Sequence, residues 1–249
     1  MTIAAPDSKL SEAAALPYVP EKRVAIVQSS YIPWKGYFDL INSVDEFVLF
    51  DDVQYTRRDW RNRNRIKTPS GPAWLSIPVS SKGQFEEPIR EICVEGRDWA
   101  SRHWRTLRAN YARAPHFRAY APVLEQLYME CAEPRLSGVN RRFLQAICDI
   151  LGIRTTLTWS WDYRIESGKT SRLVSICRQA GAAVYVSGPS AASYLEPQLF
   201  QDAGIRLVYF DYSAYPEYDQ LFPPFEHRVS VLDLILNAGP ASPRYMLSF

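Results

Sequence analysis

Two short apolar runs, Val24-Ala25-Ile26-Val27 and Phe47-Val48-Leu49-Phe50, flank a segment in which Trp34, Tyr37, Phe38 and Ile41 recur at helical spacing. The runs read as buried strands and the segment between them as a short helix. Strand, helix and strand within about thirty residues form a βαβ unit, which makes its two strands parallel. A chain that begins this way is expected to build a sheet with helices packed on it.

The rest of the chain extends that pattern. Trp74 to Val79 and Ile89 to Val94 are strand candidates and could pair as a hairpin across Gly83. The stretch from about 98 to 151 is helical, with Pro115, Pro122 and Pro134 marking breaks or first turns and Gly152 closing the last helix as its C-cap. Ile153–Trp159, Ala183–Val186 and Ile205–Phe210 read as strands. Thr170 or Ser171 caps a helix whose apolar face is Leu173, Ile176, Cys177 and Ala180, and Val229–Leu236 forms a terminal helix. The expected fold is α/β, a largely parallel sheet with helices on both faces, Rossmann-like or nucleotidyltransferase-like, with a helical insertion over about 98–151. Residues 1–20 read as a disordered tail and 21–249 as a single domain.

Composition narrows the class. Hydrophobic residues make up 47% and charged residues 22% of 249, so the chain can bury a large core unaided. Cys93, Cys131, Cys148 and Cys177 form no C-x-x-C pair, which argues against a zinc site or a disulfide framework and fits a cytoplasmic location. No apolar run approaches the ~20 residues of a membrane span, and the first twenty residues do not look like a signal peptide. A net charge of +2 singles out no partner by itself.

Three constellations carry candidate chemistry. Gln28-Ser29-Ser30-Tyr31-Ile32-Pro33-Trp34-Lys35-Gly36-Tyr37 joins the carboxyl end of a buried strand to a helix, the edge where open α/β sheets bind ligands. Gln28, Tyr31, Trp34 and Tyr37 are its candidate ligand contacts. Asp51 and Asp52 follow the second strand and can accept a proton, hold a metal or bind an amine. Successive strand side chains point to opposite faces, so one of the two is expected to face a cleft. Third, Arg57 to Lys67 holds six cations and one anion. Extended, it puts Arg61, Arg63, Arg65 and Lys67 on one face, a row suited to phosphate, and Asn62, Asn64 and Ile66 on the other. Pro69 favours that extended geometry. Asn62 and Asn64 read as recognition residues, with Gln54 beside them. Ser187-Gly188-Pro189-Ser190 follows a strand, and Ser187 and Ser190 could cradle a phosphate or carboxylate. Each of these also has a plainer reading as packed turn, cap or solvated surface. Gly168-Lys169-Thr170 lacks the first glycine of a P-loop, His103, His116 and His227 are scattered, and no metal site is expected.

Taken in order, Gln28…Tyr31-x-Pro33-Trp34-x-Gly36-Tyr37-Phe38, Asp51-Asp52-Val53-Gln54, Trp60-x-Asn62-Arg63-Asn64-x-Ile66-Lys67, Trp74-Leu75-x-x-Pro78-Val79, Ser187-Gly188, Gly204-Ile205 and Ser230-x-x-Asp233-Leu234-x-x-Asn237-x-Gly239 resemble the WbqC-like family. The resemblance runs from about residue 23 to 240. It implies a bacterial O-antigen, related glycan or secondary-metabolite context, and transfer of glycine or another small acyl group to an amino sugar. The chain departs from the family at Val27-Gln28-Ser29, where many members read His-Gln-Pro. A catalytic histidine is therefore not assigned there. A fainter likeness to acid-activating nucleotidyltransferases lacks their HxGH signature and hints at fold alone.

The expected function is an acyl or aminoacyl transferase acting on an amine of a nucleotide-linked amino sugar or a related amine. Arg61, Arg63, Arg65 and Lys67 would meet the diphosphate, Tyr31 and Trp34 would stack, and Asp51 or Asp52 would serve the attacking amine. No cofactor is certain; ATP with Mg2+ is the candidate for activating a free acid. Aminoacyl-tRNA is a second option for the donor, and a non-catalytic sugar-nucleotide-binding module is the rival reading.

Overall fold

The computed structural model describes residues 21–80 and 86–249. The expected N-terminal tail and the turn around Gly83 lie outside the described residues. In chain order the elements are β1 (Arg23–Val27), α1 (Lys35–Asn42), β2 (Glu46–Leu49), β3 (Arg63–Thr68), β4 (Gly71–Ser76), β5 (Val79–Ser80) and β6 (Cys93–Val94). Then come α2 (Asp98–Tyr111), α3 (Phe117–Met129), α4 (Leu136–Leu151), β7 (Thr156–Trp159), α5 (Ser171–Gln179), β8 (Val184–Ser187), α6 (Pro197–Asp202), β9 (Arg206–Tyr209) and α7 (Val231–Ala238).

Five strands form one parallel sheet in the order β7-β2-β1-β8-β9. Alternation along β1 and β2 sends their side chains to two cores. Ala25, Phe47 and Leu49 pack with Phe38, Ile41, Phe143 and Leu234 on one face. Val24, Ile26, Val48 and Phe50 pack with Leu173, Ile176 and Phe200 on the other. Both faces are covered by helices, which is why these strands read as unbroken apolar runs. Burying a residue such as Phe38 or Ile41 contributes about 1.5–3 kcal/mol.

The helical stretch resolves into α2, α3 and α4 as expected. Gly152 ends α4 in the left-handed region, at φ 76°, and the Ile153 N–H closes back on the Cys148 carbonyl. Pro122, expected at a break or first turn, sits inside α3 instead. Leu124, Leu127 and Tyr128 beyond it are buried, and that packing carries the helix past the missing N–H. Thr170 makes no side-chain cap to α5; its hydroxyl accepts the Glu196 N–H at 3.2 Å.

The hairpin differs from the expected pairing. Trp74 and Leu75 pair with β3, not with residues 89–94, because Gly71, at φ 101°, allows a tight turn after Thr68. Ile89–Glu91 is a single 3-10 turn, and the expected pairing survives only as Val79–Ser80 against Cys93–Val94. The cationic stretch is thus half of a two-stranded antiparallel ribbon.

Candidate functional site

Chain order reverses at β1, whose neighbours are β2 on one side and β8 on the other. At such a switch point the connections diverge and leave a crevice outside the carboxyl ends of the strands. A cleft of about 590 Å³ lies there, bounded by Val27 at the end of β1, Trp34 of the β1–α1 turn, Tyr37 in the first turn of α1, Trp60 and Arg61, and Tyr212 and Tyr215 beyond β9. Its size and aromatic lining suit a small molecule or a nucleotide.

The turn that builds this cleft is strained and clamped. Ile32 is β-branched and fully buried, yet stands at φ 36°, a conformation that persists only where its surroundings impose it. The segment after Arg57 supplies the constraint. Asn64 donates to the Tyr31 and Ile32 carbonyls at 3.1 and 3.0 Å, and the Tyr31 N–H reaches the Trp60 carbonyl at 3.1 Å. Arg61 Nη1 donates to the Ser29 carbonyl at 3.0 Å, and the Val231 N–H closes on the Pro33 carbonyl at 2.9 Å. Gly36 is required by the same turn, since a Cβ there would lie 2.4 Å from the Trp34 indole.

Inside the cleft, Trp34 stands 5.5 and 5.4 Å from the rings of Tyr212 and Tyr215. Tyr37 donates to the Gln28 carbonyl at 2.9 Å, and burial raises its pKa well above the usual value although Arg61 opposes the rise. Arg61 is the central cation. Its Nε is buried without a hydrogen bond, with Asp59 no closer than 3.7 Å. A buried guanidinium that leaves a donor open favours an anionic ligand. The end of α1 has no side-chain cap and no acidic residue in its first turn, which also favours an anion. His227 and Arg228 also line the cleft.

The wall formed by residues 210–228 is tied down from beneath. Lys35 donates to the Pro216 carbonyl at 2.8 Å and lies 4.8 Å from the Tyr215 ring centre; burial lowers its pKa to about 8. Asp233 accepts from Tyr111, Tyr218 and Gln220 at 2.7, 2.8 and 2.9 Å, and burial raises its pKa against those bonds.

The two acids sit in the turn after β2 and point apart. Asp51 is fully buried and accepts from the Ser29 N–H at 2.8 Å, the Ser29 hydroxyl at 2.7 Å and the Ser137 hydroxyl at 2.6 Å. Burial raises its pKa, with those bonds and Arg61 opposing. Asn140 joins the network by donating to Ser29 Oγ at 2.9 Å and to the Arg61 carbonyl at 3.0 Å. Asp52 points the other way, accepts from Ser160 and pairs with Arg90. Neither carboxylate lines the cleft.

The remaining candidates scatter. Tyr31 is in the core: it bonds His103 Nδ1 at 2.9 Å and Tyr128 at 2.8 Å. His103 Nε2 meets the Ser76 carbonyl at 3.1 Å, so Nε2 carries the proton, and burial lowers the ring's pKa to about 4. Asn62 donates to the Ile77 carbonyl at 2.8 Å. Arg63 stacks over Trp74 at 4.1 Å, while Arg65 stands 4.0 Å from Glu226. Lys67 is buried and donates to Gln220 and to the Pro224 carbonyl. Of the expected cationic row, Arg61 alone lines the cleft. Gln54 is exposed and bridges Pro88, outside the cleft lining. Ser187 is buried at the end of β8 and Ser190 is exposed in a 3-10 turn; neither lines the cleft. Among the described residues, no three His, Cys, Asp or Glu side chains are grouped to hold a metal.

Tyr212, Tyr215, His227 and Arg228 were not among the sequence candidates. The one signal available was the density of aromatic residues in a long connection, at Phe210, Tyr212, Tyr215 and Tyr218. No described helix is long and apolar enough to cross a membrane.

Comparison with known proteins agrees with the motif order. "Uncharacterized protein Rv1507c" of Mycobacterium tuberculosis is 54% identical over 225 residues, covering 90% of this chain and 97% of that relative. No solved structure matches. The model of the WbqC-like protein family matches residues 28–245, and the chain belongs to that family.

Proposed function

We propose that the protein transfers a small acyl or aminoacyl group to the amine of a nucleotide-linked amino sugar, bound in the cleft at the β1 switch point. The observation that carries this reading is the Arg61 guanidinium lining a cleft walled by aromatic rings, its Nε without a hydrogen bond and its nearest carboxylate, Asp59, at 3.7 Å. A nucleotide diphosphate offers what both features suit, charge for the guanidinium and a planar or ring-shaped group for Trp34, Trp60 and Tyr215.

His227 is the proton acceptor in this reading, since it is the imidazole that lines the cleft. The neutral amine attacks the acyl carbonyl carbon and a C–N bond forms. The bond from that carbon to the leaving heteroatom breaks, and its electron pair departs with the leaving group. The amine's surplus proton passes to His227. Asp51 acts at one remove, fixing Ser29, whose carbonyl orients Arg61. The phosphates of ATP with Mg2+ would suit the same cations if the donor is a free acid needing activation.

The direct test incubates the protein with a panel of amino-sugar nucleotides and three donor types: amino acid with ATP and Mg2+, acyl thioester, and aminoacyl-tRNA. Mass spectrometry is expected to show an adduct heavier by the acyl residue. Tight binding of sugar nucleotide with no adduct from any donor overturns the transferase reading in favour of a binding module. One observation favours that rival: Asp51 and Asp52 are both engaged within the protein. For the tRNA donor, the relevant surface is Trp60 and Trp74, 40% and 45% exposed at the cleft mouth beside Arg63. Binding there is expected to weaken steeply with salt.

A further inference from the structure

A second concavity opens on the same sheet edge, on the far side of Asp51. It measures about 540 Å³ and is lined by Arg90, Glu91, Arg135, Ser137, Trp159 and Trp161, among others. It lies at the carboxyl end of β7, against the start of α4 and the Ile89–Glu91 turn. Trp159 and Trp161 stack, with ring centres 4.3 Å apart and planes 19° from parallel. Arg141 covers Trp159 at 4.9 Å, whereas Arg90 stands 5.9 Å from the ring centre of Trp161, which is 37% exposed.

The arginines of this groove are already paired. Arg90 pairs with Asp52 and approaches Glu91 at 3.6 Å, and Arg135 donates to the Glu91 carboxylate and carbonyl, both at 2.7 Å. Glu133 occupies the first turn of α4, since a Cβ on Gly138 would lie 3.2 Å from its carboxylate. Arginines that are already paired hold a phosphate poorly, because binding it would break ion pairs and leave carboxylates facing it. What the groove presents is an indole platform rimmed by paired arginines and by carboxylates, planar groups that donate and accept hydrogen bonds and offer no free cation to an anion. Pyranose rings offer the complement: a C–H face that packs on the electron-rich face of an indole, and hydroxyls that both give and take hydrogen bonds.

We propose that this groove is a saccharide subsite, in which an uncharged pyranoside lies on Trp161 and hydrogen-bonds to Arg90, Glu91 and Arg135. The site is separate from the nucleotide cleft and does not rest on the transferase reading.

The test titrates the full chain with a panel of methyl pyranosides and neutral disaccharides, followed by intrinsic fluorescence and saturation-transfer NMR up to about 50 mM, well above a ~1 mM Kd. At least one saccharide is expected to bind. W161A should weaken it tenfold or more, W161F should keep most of the binding, and Arg228→Ala in the nucleotide cleft should leave it unchanged. Circular dichroism checks that each variant folds, and Glu91→Gln gives a second reading should W161A fail to fold. Absence of binding across the panel overturns the proposal. So does saccharide binding that survives both W161A and Glu91→Gln, or Trp161-dependent binding of adenosine or inorganic phosphate in place of sugars.

Discussion

The cleft at the β1 switch point and the tryptophan groove sit on one sheet edge and enclose similar volumes, about 590 and 540 Å³. They differ in how their arginines are satisfied. Arg61 has a loose ion pair with Asp59 at 3.7 Å and no hydrogen bond at Nε, whereas Arg90 and Arg135 are paired closely with Asp52 and Glu91. Position in the fold therefore shows where ligands can bind, while the pairing state of the charges indicates which kind. An open guanidinium calls for an anion; a matched set calls for a neutral, hydrogen-bonding partner.

The largest way to separate the two sites is His227→Gln. Removing the proposed proton acceptor is expected to lower kcat by about 10²–10⁴, with a smaller change in KM and none in saccharide binding at Trp161. Steady-state kinetics checks it; full turnover in the variant would remove His227 from the mechanism.

Asp51→Ala is expected to disturb both sites at once. Ser29, whose carbonyl orients Arg61, and Ser137, which lines the groove, share this carboxylate. The variant leaves buried donors unmet and is expected to cost about 3 kcal/mol in urea unfolding. The pH dependence has a definite sign. Burial raises the native pKa above the unfolded value near 3.8, so the native state holds this proton longer. The Asp51 contribution to stability is greatest below that value and declines as pH rises through the window up to the raised pKa. Wild type minus Asp51→Asn, measured by urea midpoints across acidic pH, should show that decline; a flat difference would mean the carboxylate's pKa is the same in both states.

Arg61→Met is expected to have the smallest effect, confined to one site. Losing a charged hydrogen-bond donor should weaken sugar-nucleotide binding about 10–100-fold, or ~1.5–3 kcal/mol, and leave the groove unchanged. Calorimetry on both ligands distinguishes that from a general loss of fold.

Much of the sheet was legible because a parallel strand buried on both faces leaves an unbroken apolar run, as at Val24–Val27 and Phe47–Phe50. The importance of the Gln28–Tyr37 turn was legible from its place after such a run. The fate of single side chains in it was not. Tyr31 and Trp34 are both aromatic and three apart, yet Tyr31 enters the core with His103 and Trp34 lines the cleft. The cationic stretch shows the same limit. Alternation placed Arg61 and Lys67 on one face, but residues 220–224 cover Lys67 and leave Arg61 at the cleft.

The sequence by itself determined the parallel α/β plan, the strand-to-helix edge and the family, because local periodicity and motif order carry them. Tertiary structure alone decided which cations reach the cleft, which carboxylates are consumed by neighbours, and that His227 and Arg228 line the same cleft as Arg61. Those outcomes depend on contacts between segments far apart in the chain, 86 residues for Asp51 and Ser137 and 153 for Lys67 and Gln220, and local patterns of charge and hydropathy do not record such contacts.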